Sequence, residues 1–112
     1  MRNEQKNSQN LTGLPFWILG VLFTEPNGLH PYGIRISIHE ATANMLTFKL
    51  PSVYESMKVL QEQGLVENTS SEIVNGRCQT IYKITSKGEK CLKQEYEKAL
   101  KLIKHATKLV NH

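Results

Sequence analysis

The most constraining feature of the chain is a spacing near its carboxyl end. Leu92, Tyr96, Ala99, Ile103, Ala106 and Val110 follow one another at intervals of 4, 3, 4, 3 and 4 residues, a heptad seam along one side of a helix. Lys90, Lys93, Lys101, Lys104 and Lys108 are expected on the far side of the same wheel. A helix from Ser86 to Val110 is about 37 Å long at 1.5 Å per residue, and a chain of 112 residues cannot cover its outer end. Such a seam most simply packs against the same seam of a second copy, giving a symmetric dimer.

Upstream, the pattern predicts three helices and a hairpin. The first helix is expected over Thr12–Thr24, capped by Asn10 or Thr12, with Pro15 tolerated in its first turn. Phe16, Trp17, Leu19, Val21, Leu22 and Phe23 leave it almost no polar face, so it belongs at the centre of the domain. A second helix opens at Pro31 and runs to about Ala43. It buries Ile34, Ile38 and Ala41 and turns Arg35, His39 and Glu40 outward. The third has Pro51 in its first turn and Gly64 at its C-cap. Its wheel buries Val53, Met57 and Leu60 and presents Ser52, Glu55, Lys58 and Glu62, with Tyr54 and Val59 at the flanks. Two strand-like runs then meet at Asn75-Gly76, a strong hairpin signal. Taken literally, that turn opposes Ile73 to Cys78 and Ser71 to Thr80, but the faces it produces are mixed and leave the register open.

Charge is uneven along the chain. Residues 1–82 carry six Lys or Arg against seven acidic residues, whereas residues 83–112 carry eight Lys against three Glu. A basic balance permits a polyanionic partner, yet the excess lies in the last helix, where the lysines read as a solvated face. The longest apolar run, Leu14 to Phe23, is half of the roughly 20 residues a bilayer span requires, so no membrane is expected. Cys78 and Cys91 stand alone, which predicts free thiols in a reducing cytoplasm. His30, His39, His105 and His112 are far apart and pair with neither cysteine at ligand spacing. No metal, cofactor or catalytic constellation is expected, and an enzyme is disfavoured.

Helix, helix, turn, helix, hairpin and helix is the order of a winged helix-turn-helix, an α+β and mainly α fold. Two helices brace a third whose outer face enters a major groove about 12 Å wide, while the hairpin reaches the adjacent backbone or minor groove. The reading divides the chain into a flexible arm (1–10), a winged helix-turn-helix domain (11–85) and a dimerisation helix (86–112). Its product is a homodimeric regulator bound to double-stranded DNA.

From Phe16 to Leu92 the chain resembles the phenolic-acid-response repressor (PadR) family. "FWILGVL" is similar to that family's first helix and "GLHPYGIRI" to its Leu-His-Gly-Tyr-x-Ile entry to the second. "LPSVYESMKVLQEQGLV" is similar to its recognition helix, and "NGRCQTIYKITSKGEKCL" to its wing and exit. Pro31, Gly33, Leu50-Pro51 and Met57 depart from the usual Gly, acidic residue, Pro-Gly and Leu. The single last helix matches the short subgroup. The resemblance implies dimerisation through that helix and repression by occupying an operator, often relieved by a small hydrophobic molecule.

Individual contacts follow from position. Lys49 and Ser52 stand at the entrance of the third helix, where the dipole favours a phosphate. Lys58 suits a backbone contact, and the Tyr54 and Tyr32 hydroxyls are phosphate candidates whose alternative is packing. Arg77 at the hairpin tip is the best wing candidate, with Gln79 and Thr80 as companions. Glu55 reads as a solvated helix residue, its alternative a hydrogen bond from cytosine N4. Arg2 and Lys6 of the arm are further backbone candidates. An apolar effector is expected near Trp17, Tyr96 and Ala99. A winged helix that joins proteins without binding DNA is the competing reading, kept open by the weak basicity of residues 1–82.

Overall fold

A helix with apolar side chains on every side must be covered by whatever else the chain provides. In the computed structural model, which describes the backbone of residues 13–110 and the side chains of 13–108, that helix is α1 (Leu14–Phe23). Leu14, Ile18, Leu19, Val21 and Leu22 are buried. They pack with Ile34 and Ile38 of α2 (Pro31–Ala41), with Val53, Met57 and Leu60 of α3 (Leu50–Glu62), and with Leu65, Val66 and Cys91. Burial of each large aliphatic chain in this set contributes about 1.5–3 kcal/mol. The stripe expected on α3 is the stripe that is buried. The amino-terminal arm, with Arg2 and Lys6, and the caps expected at Asn10 and Thr12 lie outside the described residues. α1 itself starts after Gly13, whose φ of 63° and lack of a side-chain cap bond differ from the expected polar cap.

The hairpin consists of β1 (Val66–Val74) and β2 (Arg77–Ile84), paired antiparallel. Asn75 and Gly76 both have positive φ, 53° and 78°, as a two-residue turn with right-handed strand twist requires. The literal register holds: Ile73 opposes Cys78 and Ser71 opposes Thr80. The mixed faces have a cause that the sequence hid. The register shifts between Asn68 and Ser70, so Thr69 is an extra residue that exchanges the two faces of β1. Below the bulge Val66 lies opposite Ile84, and Val66, Ile84 and Tyr82 turn to the core. Above it the same face carries Ser71 and Ile73.

Two close approaches fix the hairpin's base. Leu29 forms a one-residue bridge with Tyr82, donating its N–H to the Tyr82 carbonyl at 3.0 Å and accepting from the Tyr82 N–H at 2.9 Å. Gly28, at φ +83°, lies against that carbonyl, where a Cβ would be 2.6 Å from the oxygen and 2.7 Å from Ile81 Cγ2. The exit of the hairpin is held by Thr85. Its hydroxyl donates to the Gly64 carbonyl at 2.7 Å and accepts from the Gly88 N–H at 3.0 Å, capping the last helix while joining it to the end of α3. Lys87 donates to the Gln63 carbonyl at 2.9 Å, a cation at the negative end of α3. Gly88 sits so close to the Leu65 carbonyl and Ile84 that no side chain fits.

From this junction α4 (Ser86–Val110) runs out of the domain, and with it the described molecule measures 58 × 35 × 26 Å. Cys91 is buried and Leu92 packs on the core, so the first member of the heptad seam is partly spent within its own chain. Tyr96, Leu102 and Ile103 are 59%, 66% and 59% exposed, and Ala99 and Ala106 are exposed too. The side chain of Val110 lies outside the described residues. Lys93 is exposed as expected, and its ammonium also lies over the Phe23 ring, 5.9 Å from the centroid.

Gly28→Ala is expected to lose about 3 kcal/mol, because it combines a left-handed backbone with a collision against a backbone carbonyl. Urea unfolding measures the loss; a change of less than about 1 kcal/mol would mean that the Leu29–Tyr82 bridge yields without cost.

Candidate nucleic-acid interface

The angle between α2 and α3 determines how far the outer face of α3 protrudes, and side chains of α2 hold it. Ala43 and Asn44 both adopt left-handed φ, 53° and 67°, to reverse the chain after α2. Thr42 donates to the Ile38 carbonyl and accepts from the Leu46 N–H, stapling the turn. Arg35 Nε donates to the Phe48 carbonyl at 2.8 Å, and His39 Nδ1 stands 2.8 Å from the Thr47 hydroxyl. These two residues were expected to face outward; they anchor the turn instead, because the loop passes directly over the polar side of α2. Ala41, expected on the buried face of α2, is exposed at the helix end.

α3 opens on Lys49, an N-cap in extended conformation without a side-chain cap bond. Pro51 has no N–H and that of Ser52 is bonded to the Lys49 carbonyl. The entrance therefore attracts an anion through the helix dipole and the Lys49 ammonium more than through open amides. Ser52, Glu55, Lys58 and Glu62 are all exposed, as is Val59 at their side; Tyr54 is 47% exposed at the flank. This is the outward face that the wheel predicts.

The pleat of the wing separates its candidates. Arg77 and Gln79 alternate onto one face with their opposite numbers Val74 and Glu72, whereas Thr80 points to the other with Ser71, Cys78 and Ile73. Arg77 is exposed; Gln79 and Thr80 are half-buried. Glu72 carries the Arg77 face back to α2, its Oε2 lying 3.6 Å from His30 Nε2. His30 Nδ1 accepts from the Gly33 N–H at 3.0 Å, capping α2, and its ring stacks on Tyr32 at 6.4 Å and 9°. Accepting at Nδ1 leaves the proton of a neutral ring on Nε2, toward the carboxylate. Tyr32 and the Arg77–Gln79 face are thus tied together through His30, a residue that sequence reasoning weighed only as a metal ligand. Its place immediately before Pro31 was the available sign of a cap.

A second surface lies on the opposite side of α1. Phe16, Gly20 and Phe23 with Leu92, Lys93 and Tyr96 of α4 line an apolar cleft of about 330 Å³. Phe23 is 46% exposed there, although the sequence places it at the centre. Of the residues expected near an effector only Tyr96 is in this wall. Trp17 packs on the core, edge-on to Phe16 at 6.0 Å, and Ala99 lies one turn farther along α4. Among the described residues no three His, Cys, Asp or Glu side chains are grouped to hold a metal, and no helix is long and apolar enough to cross a membrane.

Residues 18–94 match the family model of the PadR-like transcriptional regulators. The chain belongs to that family. It is therefore a DNA-binding winged-helix regulator rather than an enzyme, and its fold has close counterparts. A transcriptional regulator from Clostridium thermocellum superposes with a TM-score of 0.70 at 24% identity, covering 87% of this chain and 92% of that one. A PadR-like regulator from Bacillus cereus does so with 0.68 at 19%, covering 88% and 92%. Bacillus subtilis PadR, in complex with operator DNA, matches with 0.62 at 22%, covering 72% of this chain and 45% of that one. No curated protein sequence matches. The shared architecture is the three-helix head, the hairpin wing and the long carboxy-terminal helix that the PadR resemblance implied.

Two substitutions that bear on the α2–α3 turn are expected to have opposite signs. Arg35→Ala removes a charged donor from the Phe48 carbonyl and lowers stability by about 1.5 kcal/mol. Ala43→Gly relieves a left-handed residue and raises it by about 0.5 kcal/mol after the entropy of the unfolded chain is counted. Thermal unfolding of both variants checks the pair; a stabilising Arg35→Ala would remove the anchor role.

Proposed function

We propose that the protein is a homodimeric repressor that occupies a pseudo-palindromic operator, each copy of α3 entering one major groove and each wing lying along the flanking backbone. The observation that carries this reading is the uncovered side of α1 and α4. Phe16, Phe23, Leu92 and Tyr96 leave an apolar cleft, and Leu102 and Ile103 extend the apolar surface along a helix that has left its own domain. A second copy supplies the same surface in return, as twofold symmetry requires. That would set two reading heads about 34–36 Å apart, or a multiple of it, for successive turns of the duplex. The operator complex of the Bacillus subtilis relative supports the same mode of binding.

Lys49, Ser52, Tyr54 and Lys58 would contact the groove and its phosphates from α3, and Tyr32 from the start of α2. Arg77 with Gln79 would meet the backbone from the wing, and Thr80 would reach it only from the other face of the hairpin. Leu92, Tyr96, Ala99, Ile103, Ala106 and Val110 would form the seam. A small hydrophobic effector would enter the α1–α4 cleft, whose volume falls in the range of about 300–1,000 Å³ usual for ligand sites. An adaptor that binds only protein is the rival. It is favoured by the two carboxylates, Glu55 and Glu62, on the outward side of α3, and a mobility shift against random duplexes at low salt separates the two.

Ile103→Asp is expected to give a monomer in sedimentation and to weaken operator binding on the order of a hundredfold, since the two heads then bind independently. A dimer that survives this change would refute the seam. Lys49→Ala and Arg77→Ala are each expected to weaken binding to all sequences and to lower the slope of log affinity against log salt by about one. Unchanged slopes would remove both residues from the phosphate contacts.

A further inference from the structure

We infer that Glu55 is a specificity-determining residue, accepting a hydrogen bond from cytosine N4 in the major groove and rejecting other bases at that position. The inference rests on the reading of α3 as the groove-entering helix. At 3.6 residues per turn, the buried stripe of Val53, Met57 and Leu60 has Glu55 and Glu62 diametrically opposite. Lys58 stands to one side of them, and Ser52 and Val59 to the other. The centre of the outward face is thus acidic, the reverse of what attraction to phosphate alone would select. Glu55 is exposed and makes no ion pair with Lys58, one turn on. Among the described residues the one Lys–Glu ion pair is Lys98–Glu95, on a different helix.

A carboxylate outside any ion pair on this face is repelled by phosphates and by most of what a base edge offers. Guanine shows the acceptors N7 and O6, thymine the acceptor O4, and adenine the acceptor N7 beside its amino donor. Cytosine alone presents an amino donor with no acceptor of its own beside it. The carboxylate therefore works mainly by exclusion, which discriminates among sequences without requiring high affinity. Position distinguishes the two glutamates. Amino-terminal residues of a recognition helix meet base edges; Glu55 is in that half of α3, whereas Glu62 is its last residue.

Selection of bound duplexes from a random library, using the full chain, tests the assignment with Glu55→Gln, Glu55→Ala and Glu62→Gln beside the wild type. The wild type is expected to enrich one cytosine per half-site, with substitution there costing on the order of tenfold in affinity. Glu55→Gln should move that preference to adenine, which a carboxamide bonds in two places, and leave the other positions alone. Glu55→Ala should lose the preference and bind non-specific DNA several-fold more tightly. Glu62→Gln should keep the cytosine. If the Glu55 variants retain the wild-type cytosine, or if Glu62→Gln abolishes it, the assignment fails while operator reading stands. If the wild type enriches no sequence, operator reading fails and the assignment with it.

Discussion

The fold depends on an apolar helix that one copy of the chain covers only in part. α1 offers Leu14, Ile18, Leu19, Val21 and Leu22 to its own domain and leaves Phe16, Gly20 and Phe23 facing the cleft beside α4. Everything else is arranged about the covered side. α2 closes over it with Ile34 and Ile38 and α3 with Val53, Met57 and Leu60, and the base of the hairpin adds Val66 and Tyr82. A monomeric domain of this size rarely leaves two phenylalanines and a tyrosine along one open groove. The proposed dimer and the proposed effector are two uses of the same uncovered surface, so a molecule wedged into the cleft would act on the spacing of the reading heads.

How firmly those heads are held follows from a few polar contacts at element ends. Thr85 joins the carboxyl end of α3 to the first turn of α4 with one hydroxyl, and Lys87 adds a charge to the last carbonyls of α3. These bonds fasten the start of α4 directly to the end of α3. On the other side, His30 caps α2 and faces Glu72 in the outer part of the wing, while the Leu29–Tyr82 bridge fixes the wing's base. At 3.6 Å and with Glu72 half in solvent, the His30–Glu72 contact is an electrostatic guide rather than a strong bond.

Periodic features were legible in the sequence and local reversals of periodicity were not. The buried stripe of α3, the Asn75-Gly76 turn and the length of α4 follow from spacing, and the structure has them. The faces of the hairpin were unreadable because Thr69, one residue in the middle of β1, reverses the alternation, and nothing in its chemistry marks a bulge. Arg35 and His39 look like solvent residues on the α2 wheel, since their carbonyl and hydroxyl partners are supplied by a loop whose path a wheel does not contain. Phe23 failed for a related reason. Hydrophobicity reports that a side chain seeks cover, not that the cover lies within the same chain, and the exposed Phe23 ring meets the ammonium of an equally exposed Lys93.

The charge of the reading head bears on how such a regulator selects its site. Residues 1–82 carry a slight acidic excess, so a single head has little of the counterion release that gives non-specific DNA affinity. Weak attraction to arbitrary sequence is an advantage when non-specific sites outnumber the operator by millions. Doubling the heads, as in the proposed dimer, would raise affinity for paired half-sites far more than for isolated ones, because the second contact would form at the high effective concentration set by a stiff connection. In the proposed dimer a rigid α4 junction and an acidic centre on α3 would serve the same end: the first would reward correct spacing, the second would penalise incorrect bases, and neither would increase affinity for DNA as a polyanion.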